Sequence, residues 1–118
     1  MRKDIAERWA DRLESGEVEQ TRGRLGAPGK QRGRCCLGVL CDIAVEDGVI
    51  DAPRATVDGY MSYDASTLCL PGSVMAWADM RSDNGDLKNE WQTLAQMNDD
   101  GVSFVDIALT IKHNVEKL

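Results

Sequence analysis

The chain has 118 residues, 42% of them hydrophobic, a size and composition that fit one globular domain over residues 1–118. Its formal charge of −6 argues against a protein that binds duplex nucleic acid, because affinity for a phosphate backbone depends on cations spread over an extended face. The longest apolar stretch is about half of the ~20 residues needed to cross a bilayer, so we expect no membrane partner.

Residues 3–15 carry the pattern of an amphipathic helix. Ile5, Trp9 and Leu13 recur at intervals of four residues, and Ser15-Gly16 supplies an ending. No apolar signal segment precedes this pattern, so we expect a cytosolic protein.

The positive charge is concentrated in residues 22–34, which hold five cations, four glycines and no acidic residue. The remaining residues include nine basic and twenty acidic side chains. Residues 18–25 alternate loosely in polarity, and residues 26–29 form the turn sequence Gly-Ala-Pro-Gly. We therefore predict a short basic β-hairpin that returns through residues 31–34.

Residues 35–45 form the long apolar run of the chain. Periodicity does not distinguish a buried helix from a buried strand when almost every position is apolar. The length of the run favours a helix, as does Gly48, which follows it where a left-handed cap would lie. Gly38 would permit close approach of another backbone segment.

The region from 49 to 70 predicts a loop with small strands, including a brief strand at 67–70. Pro71 is expected in the first turn of a short core helix. Residues 81–90 are polar and are expected to be solvated.

The carboxy-terminal part predicts a helical hairpin. Ser103 and Asp106 have the spacing of a capping box and precede an amphipathic helix, while Leu94 and Met97 belong to a shorter helix upstream. A turn over residues 98–101 would join them. The fold class predicted from these elements is α+β, a mostly helical domain with about four helices, the basic hairpin and small strands.

The cysteines are expected to be free thiols with a packing role. Cys35, Cys36, Cys41 and Cys69 show no Cys-x-x-Cys pair, and His113 is the single histidine, so the sequence predicts no metal site. Neither a reactive cysteine nor a nucleophile with its base can be assembled from these residues. We therefore predict a protein that is not an enzyme and needs no cofactor.

The basic segment suits a phosphorylated ligand. Arginine binds phosphate oxygens through two parallel N–H groups, and the glycines between the cations would bring backbone N–H groups near the same anion. The order of residues is not that of a P-loop. The candidate cations are Arg22, Arg24, Lys30, Arg32 and Arg34.

A solvated basic loop that balances Glu14, Glu17 and Glu19 remains the alternative for the same segment. Asp42 is the charged residue of the apolar run, and it either reaches solvent or accepts hydrogen bonds from an arginine such as Arg34 or Arg32.

Two loop tyrosines complete the candidate set. Tyr60 and Tyr63 either stack on a ring of the ligand or pack on the edge of the domain. The predicted ligand-binding residues are therefore Arg22, Arg24, Lys30, Arg32, Arg34, Asp42, Tyr60 and Tyr63.

Four sequence segments together resemble a family of small proteins encoded by tailed bacteriophages. The resemblance covers nearly the whole chain, although Val18 stands where the family pattern leads us to expect an aromatic residue. The segments are Trp9-x-x-x-Leu13-x-Ser15-Gly16, Cys35-Cys-Leu-Gly-Val-Leu-Cys-Asp42-x-Ala44, Leu70-Pro71-x-x-Val74-x-x-Trp77-Ala78 and Leu94-x-x-x-Asn98-Asp99-x-Gly101-x-Ser103-Phe104-x-x-Ile107-Ala108.

The resemblance implies that the protein acts in the cytoplasm of an infected bacterium. Small phage proteins often counter antiviral defence, and some sequester nucleotide second messengers. Combined with the basic segment, this implies a non-catalytic protein that traps an anionic nucleotide signal, such as a cyclic ADP-ribose derivative or a cyclic oligonucleotide. The alternative is a phage protein that binds and inhibits a host protein. For the sequestering protein a homo-oligomer is expected, because small ligands are often enclosed between subunits.

Overall fold

The computed structural model describes residues 1–27 and 33–118. Lys30, Arg32 and half of the predicted turn, residues 28–29, therefore lie outside the described residues. Within the described part, the fold is α+β, with five α-helices, a two-stranded antiparallel sheet and a short 3₁₀ helix. The helices are α1 (Lys3–Glu14), α2 (Cys36–Glu46), α3 (Gly72–Ala78), α4 (Leu94–Asp99) and α5 (Phe104–His113), and the 3₁₀ helix is Val115–Lys117.

Helix α1 confirms the prediction for the amino-terminal segment. It buries Ile5, Trp9 and Leu13 along one face and packs this face against α5 and α2. The buried Trp9 indole N–H donates to the carbonyl oxygen of Cys36 at 2.8 Å, so the ring also has a polar partner inside the core.

Helix α2 is the central element, and its position confirms that the apolar run is helical. It packs against α1, α3 and α4, which explains why apolar side chains occur around most of its circumference. The helix ends as predicted: Gly48 has φ +73° and donates its N–H to Val45 at 3.0 Å. Glycine adopts this left-handed conformation without the steric cost of a Cβ atom.

The strands are short and lie between α2 and α3. Strand β1 (Arg54–Ala55) pairs with β2 (Met61–Ser62) so that Arg54 faces Ser62. The prediction of a strand at 67–70 is wrong, because residues 67–69 form bends. The Thr67 carbonyl there accepts a hydrogen bond from the Leu25 N–H at 2.8 Å.

The described part of the basic segment joins this sheet through single backbone bridges. Arg34 is bridged antiparallel to Gly26, Gly26 is bridged antiparallel to Met61, and Met61 pairs in turn with Ala55. Gln20 is bridged to the other side of Arg34. The predicted reversal of the chain is therefore present as a backbone bridge, but the flanking residues form no regular strands. We call these five adjacent segments the bridged ribbon.

The carboxy-terminal helices follow the predicted pattern with two differences. Ser103 caps α5 by accepting the Asp106 N–H at 3.2 Å. Helix α4 extends through Asn98 and Asp99, which were predicted to lie in the turn. Residues 81–90 are also less solvated than predicted, since Leu87 is buried in the core.

Candidate functional site

The structure describes six of the eight predicted ligand-binding residues and divides them among three places. Arg34, Asp42 and Tyr63 form one cluster, and Arg24 contacts Tyr60 in a second. Arg22 lies apart from both. The first cluster is internal, whereas the other two lie at the surface of the bridged ribbon and its neighbouring turn.

The first cluster is centred on the carboxylate of Asp42. Arg34 Nε donates to one carboxylate oxygen at 3.0 Å, and the Tyr63 hydroxyl donates to the other at 2.5 Å. The arginine side chain is 16% exposed and the aspartate side chain 29% exposed. Of the two alternatives for Asp42, the structure shows the one in which it accepts a hydrogen bond from Arg34.

Tyr63 is buried, which agrees with the packing alternative for this residue. Burial raises the pKa of its phenol, and donation to the Asp42 carboxylate raises it further. The phenol therefore stays protonated as a hydrogen-bond donor. The geometry of this cluster attaches the end of the basic segment to α2 and leaves its polar groups already paired.

The second cluster is a stacked pair at the surface. The Arg24 guanidinium carbon lies 4.7 Å from the centroid of the Tyr60 ring, and Arg24 Nη1 donates to the Thr67 hydroxyl at 3.3 Å. Both stacked side chains are half-buried. The described partners of Arg24 are neutral groups, so its charge is held in place without being neutralised by them.

Arg22 is exposed and lies beside the turn between α4 and α5. Its Nη2 is 2.8 Å from the position that a Cβ atom would take on Gly101, whose φ is +91°. The next residue, Gly23, donates its N–H to the Asp99 carboxylate at 2.9 Å. This turn thus orients the start of the basic segment through Asp99, which accepts from the backbone of Gly23 and not from the Arg22 guanidinium.

Gly38 brings the basic segment close to α2, as the sequence predicted. A Cβ atom at this position would lie 1.9 Å from the Leu25 carbonyl oxygen and 3.3 Å from Arg34 Cδ. Only a residue without a side chain leaves room for this backbone approach. The distinctive apolar run therefore helps to position Arg24, the neighbour of Leu25.

Asn98, for which the sequence predicted no role beyond a turn, is completely buried. Its side-chain oxygen accepts the Cys36 N–H at 3.2 Å and the Gln20 amide at 3.0 Å, while its own amide donates to the Thr21 carbonyl at 2.8 Å. Asn98 thereby supplies a partner to the first turn of α2, where Cys35 makes no side-chain cap.

Gln20 provides a matching contact to α5. Its side-chain oxygen accepts the Phe104 N–H at 3.1 Å, and its amide donates to the Val102 carbonyl at 2.8 Å. These bonds connect the start of the basic segment to two helix N-termini. The only sequence signal was the polar pair Asn98-Asp99 in an otherwise recognisable hairpin.

The cysteines have the environment expected of packing residues. Cys35, Cys36 and Cys41 are buried, Cys69 is half-buried, and all four are free thiols. Burial raises the pKa of Cys35 to about 11 and also raises the pKa of Cys36 and Cys41. These thiols are therefore poorly ionised near neutral pH and are weak nucleophiles.

A cavity of about 390 Å³ opens beside the two-stranded sheet, and no sequence pattern pointed to it. Its polar lining combines two carboxylates, a guanidinium and a hydroxyl. The Asp64 carboxylate also accepts a hydrogen bond from the Ser73 hydroxyl at 2.8 Å. The lining residues are Asp51, Ala52, Arg54, Ser62, Asp64 and Ala65.

One wall of this cavity is a tight turn. Tyr63 and Ser66 exchange two backbone hydrogen bonds of 2.8 Å, and Asp64 and Ala65 between them have φ of 47° and 68°. Two consecutive left-handed residues define the hairpin turn that usually contains Asn-Gly. Ala65 occupies such a position at a cost of about 1 kcal/mol.

Among residues 1–27 and 33–118, no cluster of histidine, cysteine, aspartate or glutamate has a geometry that could hold a metal ion. None of the helices in the same ranges combines the length and hydrophobicity needed to cross a membrane.

The fold and these sites define a small α+β domain with an arginine-bearing ribbon and an adjacent polar cavity. The chain belongs to the family described as a domain of unknown function (DUF8296), whose profile matches residues 1–115. Neither a curated protein nor a solved structure matches the chain.

Proposed function

We propose that this domain is a phage-encoded, non-catalytic binding protein that sequesters an anionic nucleotide second messenger of antiviral defence in the cytoplasm of the infected bacterium. The observation that carries the proposal is the stacked pair of Arg24 and Tyr60. It combines a guanidinium whose described partners are neutral with an aromatic side chain at one surface, and a nucleotide presents the complementary phosphate and ring.

The proposed phosphate site is preorganised. Leu25, which follows Arg24, is held by Thr67 at 2.8 Å and packs its carbonyl on Gly38. A rigid backbone reduces the conformational entropy that binding would cost. Arg34 contributes to this rigidity through Asp42, so we now assign both residues to positioning of the site, together with Tyr63.

The charge distribution supports a small ligand. The domain as a whole carries a formal charge of −6, which disfavours an extended polyanion. A single nucleotide would contact Arg24 without approaching most of the acidic surface. Arg22 lies before Arg24 on the same segment and is the second candidate phosphate ligand.

Isothermal titration with cyclic ADP-ribose and with cyclic dinucleotides tests the proposal. Arg24→Gln should weaken binding of the recognised nucleotide at least tenfold, because a charge-assisted hydrogen bond is lost. The matched control is Arg2→Gln, an exposed arginine at the start of α1 that pairs with Asp4. Equal affinity of the wild-type protein and the Arg24→Gln variant would overturn the assignment of the site.

A second candidate function is inhibition of a host protein, and one observation favours it. Trp91 is fully exposed, as is Val57 at the tip of the β1–β2 hairpin. Exposed tryptophan is a frequent anchor of protein interfaces. Trp91→Ser should leave nucleotide affinity unchanged if sequestration is the function, and should abolish anti-defence activity in infected cells if a host protein is the target.

The expected homo-oligomer stays a prediction. Sedimentation velocity with and without the recognised nucleotide measures it directly. A mass of one chain under both conditions would contradict it.

A further inference from the structure

The cavity beside the sheet has a composition that a phosphate site alone does not explain. Two of its polar groups, Asp51 and Asp64, are carboxylates, which repel phosphate. Carboxylates are strong hydrogen-bond acceptors, and an aspartate or glutamate that accepts from ribose hydroxyls is a common feature of nucleotide sites.

We infer that this cavity binds the ribose hydroxyls of the nucleotide, with Asp51 and Asp64 accepting hydrogen bonds and Arg54 balancing part of their charge. This inference rests on the proposed function, because it assigns the sugar of the same ligand. The cavity of about 390 Å³ lies within the range of small-molecule sites.

The position of the cavity is compatible with a ligand that also reaches the stacked pair. Tyr60 and the cavity residue Ser62 are separated by one residue, Met61, in β2. Two residues of extended chain span about 7 Å, which is the scale of one nucleotide. The phosphate would thus contact Arg24 while the sugar enters the cavity.

The carboxylate of Asp64 has acceptor capacity left for this role. Ser73 donates to one of its oxygens at 2.8 Å, and a carboxylate retains further acceptor sites on both oxygens. Asp64→Asn is a suitable variant because asparagine tolerates the left-handed backbone conformation that Asp64 adopts. The variant removes the charge while preserving the turn.

The experiment compares adenosine 5′-monophosphate with its 2′,3′-dideoxy analogue, using amide chemical shifts of the wild-type protein and of Asp64→Asn. We expect the ribonucleotide to shift the amide resonances of Ala52 and Ala65. We expect Asp64→Asn to weaken the binding of the ribonucleotide about tenfold. The dideoxy analogue should bind to the wild-type protein more weakly than the ribonucleotide does. Its affinity should be the same for the wild-type protein and for Asp64→Asn. Asp58→Asn, an exposed aspartate outside the cavity lining, is the matched control.

The outcomes separate this inference from the proposed function. Shifts near Arg24 and Tyr60 with equal affinity for both nucleotides would overturn the ribose assignment alone. An Asp64→Asn variant that binds both nucleotides more tightly would also overturn it, because the carboxylate would then act only by repelling phosphate. No shift with either nucleotide at millimolar concentration would overturn both the cavity assignment and the nucleotide site.

Discussion

The side-chain oxygen of Asn98 accepts the backbone N–H of Cys36 at 3.2 Å, although the two residues are 62 positions apart in the chain. This contact gives the central helix α2 a capping partner from α4. Because the Asn98 amide also donates to Thr21, the same side chain fixes the segment that leads to Arg22 and Arg24. Helix stability and the geometry of the candidate site therefore depend on one buried residue.

Replacing Asn98 with alanine should lower the free energy of unfolding by about 2–4 kcal/mol. The substitution leaves the Cys36 N–H and the Thr21 carbonyl without their partner, and each buried polar group that loses its hydrogen bond costs about 1–3 kcal/mol. Urea denaturation measures the change. Gln92→Ala, at an exposed position, is the control, and equal stability of the two variants would contradict the capping role.

Gly38→Ala should destabilise the protein by about 1–3 kcal/mol, although alanine is the better helix former. The reason is the Leu25 carbonyl oxygen, 1.9 Å from the position of the new Cβ atom. Gly72→Ala is a matched control in α3, because nothing lies within 4 Å of its Cβ position. Urea denaturation measures the free energy of unfolding of both variants. Equal changes for Gly38→Ala and Gly72→Ala would contradict the close approach of Leu25 to Gly38.

Ala65→Gly should raise the free energy of unfolding by about 1 kcal/mol, since glycine adopts the left-handed conformation at φ 68° without steric cost. Glycine also increases the conformational entropy of the unfolded chain. This effect favours unfolding and therefore limits the gain in stability. Thermal unfolding of the two proteins measures the difference. A lower melting temperature for Ala65→Gly would show that the turn does not strain Ala65.

The ion pair between Arg12 and Glu46 predicts a pH dependence of stability. Donation from Arg12 lowers the pKa of Glu46 in the folded state, although partial burial opposes this effect. The pair therefore stabilises the protein at neutral pH, and the contribution is lost as the pH falls below about 4.5 through the folded-state pKa. Because the Glu46 side chain is 49% exposed, we expect only about 0.2–1 kcal/mol.

Urea denaturation of Glu46→Gln at neutral pH and at about pH 3 measures this contribution. The variant should be less stable than the wild-type protein at neutral pH, and the difference should shrink at the lower pH. Glu116→Gln, another exposed glutamate, is the control and should show no such pattern. A difference that grows on acidification would have the wrong sign for this ion pair.

Native thiol labelling should modify Cys69 first, because it is half-buried whereas the other three cysteines are buried. Mass spectrometry after treatment with iodoacetamide should detect one adduct on the folded protein and four after unfolding. Rapid labelling of Cys35 or Cys41 in the folded protein would contradict the packing role of these thiols.

Local patterns were sufficient to predict most helices. The spacing of Ile5, Trp9 and Leu13 predicted α1, and Ser103 predicted the start of α5, because periodicity and capping act between near neighbours in the sequence. The end of α2 followed from Gly48 for the same reason. These features need no knowledge of the tertiary structure.

The candidate site was less predictable because it depends on distant contacts. The predicted set placed Arg24 and Arg34 together, but tertiary packing stacks the first on Tyr60 and pairs the second with Asp42. Nothing in the composition separates these two environments. The cavity was missed because its walls come from two-residue strands and short loops, which are too short to show periodicity. Asn98 was assigned to a turn because its partners lie far along the chain.

Sequestration itself is tested most directly by retention and release of a nucleotide. The purified protein is incubated with cyclic ADP-ribose or cyclic dinucleotides, separated from free ligand by gel filtration, and heated, and the released material is analysed by mass spectrometry. We expect the wild-type protein and Arg2→Gln to release an intact nucleotide and Arg24→Gln to release much less. A chemically altered nucleotide, no retained nucleotide, or equal retention by Arg24→Gln would contradict sequestration at this site.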